Sequence, residues 1–325
     1  MVILELHGIR KSFRQGFWGV RTPVLQGVDL SLEQGEVFGF LGHNGAGKST
    51  TMKAILGLIR PDAGSVTIFG QDGASERTRA RMGYLGEEVG LYPQITGPEM
   101  LLLVGRLFRL PRAVVRRRAD ELIELVGLGE KRSVKIRHYS KGMKQRLGIA
   151  TALMNDPELL LLDEPYSGLD PVGRKQLREL LIDLKRQGKT IMMSSHIVPD
   201  VEAVCDRVGI LSGGRIARVL DLREVYADQN AQVEVTFSGV DRRRLQARDY
   251  GAREVFAGET VTIVRCDETR LKDLVADVYA AEGHVVEVKP LRTRLEDVFV
   301  DAVREFSPAA PDPAKRDSEP VLTRR

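Results

Sequence analysis

The sequence predicts an α/β fold with a mostly parallel sheet, followed by a small α+β domain. Short, continuously apolar runs in EVFGFLG, ELLLLD and TIMMSS read as strands buried on both faces. Stretches of helical spacing separate these runs, and strands alternating with helices imply parallel crossovers. Beyond about residue 232 the texture changes to alternating, half-buried segments around a single helix.

Taken in order, EVFGFLG at 36–42 is bounded by Gly35 and a glycine-rich loop. Helical spacing then runs from Lys48 to Ile59 and stops before Pro61, and a turn at PDAG leads into a strand, SVTIFG. Helical patterning over 98–126 and 172–187 flanks the strands at 158–163 and 190–195. VGILSGGRIARVLDL reads as a hairpin turning at Gly213 and Gly214 and closes the motif-bearing region near Leu222, so the first domain is expected over 1–228. QVEVTFSG, ETVTIVRC, TRLKDLVADVYAAEG, VVEVKPL and RLEDVFVDAVREF make an expected α+β domain over 231–305. Residues 306–325 are rich in Pro, Ala and charge, and are expected to stay disordered because they bury too little apolar surface. The chain has neither an internal repeat nor a second phosphate loop.

A chain of 325 residues suffices for one large and one smaller core. Its 42% hydrophobic and 29% charged residues are ordinary for a globular protein. The net charge of +4, with signs interspersed, gives no reason to expect a nucleic-acid partner and would also suit an anionic membrane face. Cys205 and Cys266 fit neither a disulfide framework nor a metal-ligand spacing, so reduced thiols in a cytoplasmic protein are expected. Glu5 follows only four apolar residues, too few for a secretory signal. No run approaches the ~18 to 20 apolar residues that cross a bilayer; MLLLVGRLFRL is interrupted by Arg106 and Arg109. A membrane role would then need a partner.

Chemistry enters at GHNGAGKST, residues 42–50, which matches G-x-x-x-x-G-K-[ST] between a strand and a helix. The loop comprises Gly42, His43, Asn44, Gly45, Ala46, Gly47, Lys48, Ser49 and Thr50. Backbone N–H groups of Gly45, Gly47, Lys48 and Ser49 can point at phosphate oxygens, where the helix dipole also favours negative charge. Lys48 would reach the β- and γ-phosphates and Ser49 would hold Mg²⁺. ELLLLD ends in Asp163, followed by Glu164, so two carboxylates emerge at the carboxyl edge of the sheet. Asp163 suits a Mg²⁺ shell, and Glu164 suits alignment and deprotonation of a water. On these residues alone, a plain loop start or a cap for the helix near 172 is equally open.

Four further stretches, YSKGMKQR at 139–146, LLLLDEP at 159–165, SGLD at 167–170 and His196 after TIMMSS, resemble the ATP-binding cassette (ABC) family in order and spacing. The resemblance covers about residues 2–222. It implies a P-loop NTPase cassette with a mostly parallel core sheet, an antiparallel β region and a helical subdomain at about 88–155. ATP and Mg²⁺ are the implied cofactors, with catalytic roles for Lys48, Glu164 and His196 and metal ligation by Ser49, Asp163 and Glu87. Ser140, Lys141, Gly142 and Met143 resemble the signature loop, which binds the γ-phosphate of ATP held by the other cassette. Tyr139, Lys141 and Met143 depart from its commonest form, LSGGQ. Ser140 also suits a helix start, where its hydroxyl and the following N–H groups could meet an anion.

Asp170 resembles the residue that communicates between the two sites, and it equally suits capping of the helix after Pro171. Glu87 stands where family members usually carry a glutamine that couples the site to the transport partner. Phe13 matches the aromatic that stacks on adenine; Phe17 and Trp18 are rivals, and a core role for Phe13 is equally open. The run RRR at 116–118 reads as a solvated helix face.

The expectation is therefore an ATP-hydrolysing subunit of a transporter, working as a homodimer or paired cassette on a separate integral membrane permease at the cytoplasmic face of the membrane, without nucleic acid. The C-terminal region resembles accessory regions of bacterial exporter cassettes, so export is the expected direction. The alternative is an ABC-family regulatory or non-transport ATPase without a permease. A DNA-acting engine would carry a long coiled coil between Lys48 and Ser140, where no heptads are sustained. Ribosome-acting cassettes usually come two to a chain. The cargo is not legible, because cassettes leave substrate choice to the membrane subunit.

Overall fold

Two 14-residue strands, β1 (Val2–Gln15) and β2 (Val20–Glu33), pair antiparallel at the start of the chain. The structure is a computed structural model; it describes all residues except 16–18, 74, 227–231, 241–252, 258–260, 292–294 and 307–325. Neither long strand was expected from the sequence. Register shifts between Leu6 and Ile9 and between Lys11 and Ser12 break the period-two alternation that would announce them. Strand β4 (Ala63–Ile68) pairs antiparallel with β1 and, with β5 (Gln71–Asp72), completes a sheet ordered β2-β1-β4-β5.

The second sheet is built on β3 (Val37–Leu41), all five residues of which are buried, as a strand covered on both faces requires. Its partners are β6 (Met82–Leu85), β7 (Leu159–Leu162), β8 (Thr190–Ser195), β9 (Arg207–Ser212) and β10 (Arg215–Asp221), in the order β10-β9-β3-β8-β7-β6. Every pairing is parallel except β9 with β10. That hairpin turns at Gly213 and Gly214, both at positive φ. Leu4, Leu6, Ile9, Leu25 and Leu32 of the antiparallel sheet share one core cluster with Phe38, Phe40, Leu159 and Leu161 of the parallel sheet. Each such side chain contributes about 1.5–3 kcal/mol on burial, so the two sheets stabilise each other.

Helix α1 (Lys48–Ile55) starts directly after Gly47 and buries Met52 and Ile55 in that cluster. It is shorter than its sequence spacing suggests, because Gly57 turns left-handed at φ 68°. Gly57 N–H then donates to Ala54 O at 3.0 Å and Leu58 N–H to Lys53 O at 2.9 Å, closing the helix with the two bonds of a Schellman cap. After α2 (Glu76–Arg79), the expected helical stretch over 98–126 is two helices, α3 (Gly97–Leu107) and α4 (Arg112–Leu125). Arg109 at φ 56° leaves the helical region and Pro111 cannot continue the ladder, so the chain breaks between them. Thr96 and Glu99 form a reciprocal capping box that starts α3.

Helix α5 (Lys141–Ala152) begins on Ser140 and α6 (Pro171–Arg186) on Asp170, each capping with its side chain. The short α7 (Val198–Glu202) follows β8.

The chain divides into two compact units, Met1–Leu222 with the described residues from Phe299 onward, and Arg223–Val298. Helix α8 (Leu222–Tyr226) begins at the division. In the second unit, β11 (Gln232–Ser238), β12 (Arg253–Ala257), β13 (Thr262–Asp267) and β14 (His284–Leu291) form an antiparallel sheet ordered β12-β13-β11-β14. Val233, Val235, Phe237 and Cys266 pack against Leu274 and Val278 of α9 (Leu271–Ala280). Helix α10 (Leu295–Phe306) carries the chain past Phe299 to the end of the described residues. Residues 307–325, expected from composition to be disordered, lie outside them.

Candidate active site

The loop between β3 and α1 runs over the carboxyl end of the parallel sheet. Gly45 and Gly47 sit at φ 84° and 111°, where L side chains are strained. A Cβ on Gly47 would also lie 2.6 Å from Leu25 Cδ2. The loop is therefore a backbone cradle leading into the first turn of α1, whose N–H groups lack partners within the helix. Lys48 is buried beneath it, with Nζ 2.7 Å from Gly42 O and 3.3 Å from both His43 O and Glu164 Oε1.

Asp163 and Glu164 follow β7 at the same edge. Asp163 is buried and accepts the Ser194 hydroxyl at 2.7 Å. The same Ser194 oxygen accepts the Glu164 N–H at 2.9 Å, supporting a residue held at the unfavourable φ of 49°. Glu164 Oε2 lies 3.0 Å from His196 Nδ1. Glu164 Oε1 is buried and within ion-pairing reach of Lys48, yet the angle gives it no hydrogen-bond donor. One carboxylate thus links the lysine of the loop to the histidine after β8, with one oxygen left without a hydrogen-bond donor.

Gly45, Gly47, Lys48, Glu164 and His196 line one cleft of about 930 Å³ with His43, Asn44, Ala46, Ser49, Thr50 and Phe13, whereas Asp163 does not. Phe13 is 38% exposed and lies outside the core cluster, with Lys11 Nζ 5.6 Å from its ring centre. Its rivals Phe17 and Trp18 lie outside the described residues. Glu87 lines the cleft and also a second cavity of about 870 Å³, which Ser49, Glu88 and Asp163 line as well. Tyr84 stands in that wall; its burial, with Asp163 and Glu87 nearby, pushes its phenol up to about 12, so it stays a hydrogen-bond donor at neutral pH.

Among the described residues no group of three or more His, Cys, Asp or Glu is placed to hold a metal alone. The hydroxyl of Ser49 with the carboxylates of Asp163 and Glu87 nevertheless fits Mg²⁺, which keeps waters and substrate phosphates in its shell.

Ser140, Lys141, Gly142, Met143 and Asp170 do not line the cleft. Ser140 Oγ accepts the Met143 N–H at 3.2 Å and Asp170 Oδ1 accepts the Gly173 N–H at 2.8 Å. These two helix starts lie side by side: a Cβ on Gly142 would lie 3.2 Å from Leu169 Cδ2, and one on Gly168 would meet the end of Lys141. Ser194 and Tyr84 were missed in the sequence. Strand pairing of β7 with β8 makes Ser194 the neighbour of Asp163, and no spacing rule reveals that. Behind the site, Arg174 makes two hydrogen bonds to the buried Asp200, at 2.8 and 3.0 Å, tying α6 to α7.

A glycine-rich cradle ahead of a helix, a buried lysine within it and two acids just after β7, a parallel strand separated from β3 by β8, define a P-loop nucleoside triphosphatase. The ABC transporter family matches residues 25–167. An uncharacterized ABC transporter ATP-binding protein of Nostoc sp. is 41% identical over 300 residues, 91% of this chain and 88% of its own length. Nod factor export ATP-binding protein I of Cupriavidus pinatubonensis is 34% identical over 302 residues, 92% of this chain and 90% of its own. Among solved structures, a dimeric ATP-binding cassette in a post-hydrolysis state with ADP and Pi superimposes with a TM-score of 0.62 at 26% identity, covering 68% of this chain and 99% of that one. The chain belongs to the ABC transporter family and is an ATP-binding, ATP-hydrolysing cassette of it.

Proposed function

We propose that this cassette is the energising subunit of an exporter, in which two cassettes close on ATP at the cytoplasmic face of the membrane and drive a separate integral membrane permease. The single observation that carries the catalytic reading is Glu164, held by His196 at 3.0 Å on one oxygen while the other is buried without a hydrogen-bond donor. Lys48 and the N–H groups of residues 45–49 bind the phosphate chain of ATP. The Glu164 carboxylate accepts a proton from the attacking water, and His196 fixes the carboxylate and faces the γ-phosphate. Ser49, Asp163 and Glu87 would hold Mg²⁺, which would supply neutralisation of phosphate charge. Phe13, at the cleft rim, is the adenine platform.

The paired arrangement rests on the solved relative, which is dimeric, and on the placement of Ser140 outside its own chain's cleft. Export rests on the relative named for Nod factor export, matched over nearly the whole chain. No helix among the described residues is long and apolar enough to cross a membrane, in keeping with a separate permease. The unit Arg223–Val298 carries none of the nucleotide motifs and tunes the machine. Glu164→Gln tests the reading: the amide keeps shape but cannot take the proton, so hydrolysis falls by about three orders of magnitude or more while ATP binding persists and the protein elutes as an ATP-dependent dimer. A variant that stays active and monomeric removes Glu164 from this role, and a membrane protein that co-purifies with the locked dimer identifies the permease.

A further inference from the structure

The stretch of β1 and β2 that carries Phe13 overhangs its sheet. Strand β4 pairs with β1 at Leu4, Glu5, Leu6 and His7 and again at Arg10, whose partner Ala63 is the first residue of β4. Beyond Arg10, β1 is paired only with β2 among the described residues, from Lys11 opposite Leu25 to Gln15 opposite Val20. A two-stranded ribbon without a third strand is marginally stable in water. A register shift between Lys11 and Ser12 marks the point of departure, and bulges of this kind bend the strand that holds them. Pro23, opposite Ser12, has no N–H to add there. Yet Phe13, Thr22, Pro23 and Val24 of this ribbon line the nucleotide cleft, so the angle at which it leaves the sheet sets where they stand.

Asp62, directly before β4, holds the root of this ribbon through three consecutive residues of β1. Its N–H donates to Arg10 O at 2.7 Å, its Oδ2 accepts the Ser12 N–H at 2.7 Å, and its Oδ1 accepts Lys11 Nζ at 3.1 Å. The carboxylate thus takes the N–H that the end of β4 leaves without a strand partner. Lys11 also donates to Arg60 O at 2.6 Å, and its side chain is only 17% exposed, with Nζ 5.6 Å from the centre of the Phe13 ring. The tethered amine therefore stands beside the ring that it helps to orient. The Ser12 N–H and the Lys11 amine hold the Asp62 carboxyl below the usual carboxylate range, so it stays ionised, and an acceptor, at neutral pH.

We propose that Asp62 is a positioning residue for base recognition: by pinning Arg10, Lys11 and Ser12 it sets the ribbon so that Phe13 stands over the cleft where a nucleobase stacks. The inference rests on the reading of Phe13 as the adenine platform and adds the residue that aims it. Asp62 does not itself line the cleft and acts through β1. Ile9 and Leu25, at the root, are buried in the core cluster, so a change of angle is confined to the residues beyond them. The phosphate loop follows β3 in the other sheet. Loosening the ribbon therefore weakens the hold on the base and leaves the hold on the phosphates in place. A carboxylate that only caps a strand end would not separate the two.

Calorimetric titration of the full chain with ATP and with inorganic tripolyphosphate, each with Mg²⁺, tests this. Phe13→Ala is expected to lower ATP affinity by about five- to a hundredfold, the range for loss of one base–aromatic stack, and Asp62→Ala to lower it on the order of fivefold. Tripolyphosphate affinity is expected to stay at the wild-type level in both. Asp62→Asn, which keeps an acceptor for the Ser12 N–H, retains most of the ATP affinity. In the Phe13→Ala background Asp62→Ala lowers it no further, because the platform it aims is gone. Asp72→Ala, the same charge loss at an exposed residue of β5, binds both ligands as wild type does. Unchanged ATP affinity in Asp62→Ala, an equal loss for ATP and tripolyphosphate, or the same loss with and without Phe13 overturns the proposal while the platform reading stands. A Phe13→Ala protein that binds ATP as wild type does overturns the platform reading, and the proposal with it.

Discussion

Ser194 donates its hydroxyl to Asp163 Oδ1 at 2.7 Å and joins the carboxyl ends of two adjacent parallel strands. Because its oxygen also accepts the Glu164 N–H at 2.9 Å, one side chain orients both acids of the site. Ser194→Ala leaves the buried Asp163 without that donor, at about 1–3 kcal/mol of stability. The expected outcome is a lower denaturation midpoint and a kcat reduced by about ten- to a hundredfold, with ATP affinity nearly kept; an unchanged kcat would make Ser194 a purely structural residue.

Gly47→Ala and Gly45→Ala separate backbone strain from collision in the phosphate loop. Both glycines are at positive φ, but only at Gly47 does an added Cβ meet a neighbour, Leu25 Cδ2. Calorimetric titration is expected to show a loss of ATP affinity for Gly47→Ala several times larger than for Gly45→Ala. Equal losses would put the effect in dihedral strain alone.

Glu87 faces both cavities, whereas Glu88 lines only the second. A carboxylate among phosphates is tolerated when a divalent cation lies between them. Glu87→Gln should therefore keep turnover and bind ATP better than wild type once Mg²⁺ is chelated, while Glu87→Ala loses metal-dependent turnover. An effect confined to Glu88→Gln would transfer the role to its neighbour.

Mixing tests the paired site. Ser140→Arg is expected to leave ATP binding by the single cassette intact and to block closure, and Lys48→Ala to weaken ATP binding itself. A mixture retains one composite site with both elements intact, so partial ATPase activity returns. Mixed dimers that form without any recovery would count against the head-to-tail arrangement.

Both thiols serve as reporters of unfolding. Cys205 and Cys266 are free and buried, and burial raises both pKa values, so little thiolate exists at neutral pH. Maleimide labelling resolved by peptide mass is expected to be slow for each until denaturant opens its unit, Cys205 reporting Met1–Leu222 and Cys266 reporting Arg223–Val298. Rapid labelling of native Cys205 would contradict its burial.

Local signals are legible in the sequence by itself: the apolar runs that became β3, β7 and β8, the glycine loop leading into α1, and the helix starts at Ser140 and Asp170. Each is written within a few residues, because strand burial, positive φ and capping depend on the neighbouring chain. Only the tertiary structure decided what strand pairing and packing decide. The bulged β1–β2 hairpin brings Phe13 to the cleft, and the pairing of β7 with β8 sets Ser194 beside Asp163. Glu164 likewise meets a lysine 116 positions before it and a histidine 32 after it, read from their numbers in the chain. Separations of that size leave no periodicity to read, since a contact between distant segments follows from where whole strands and helices pack.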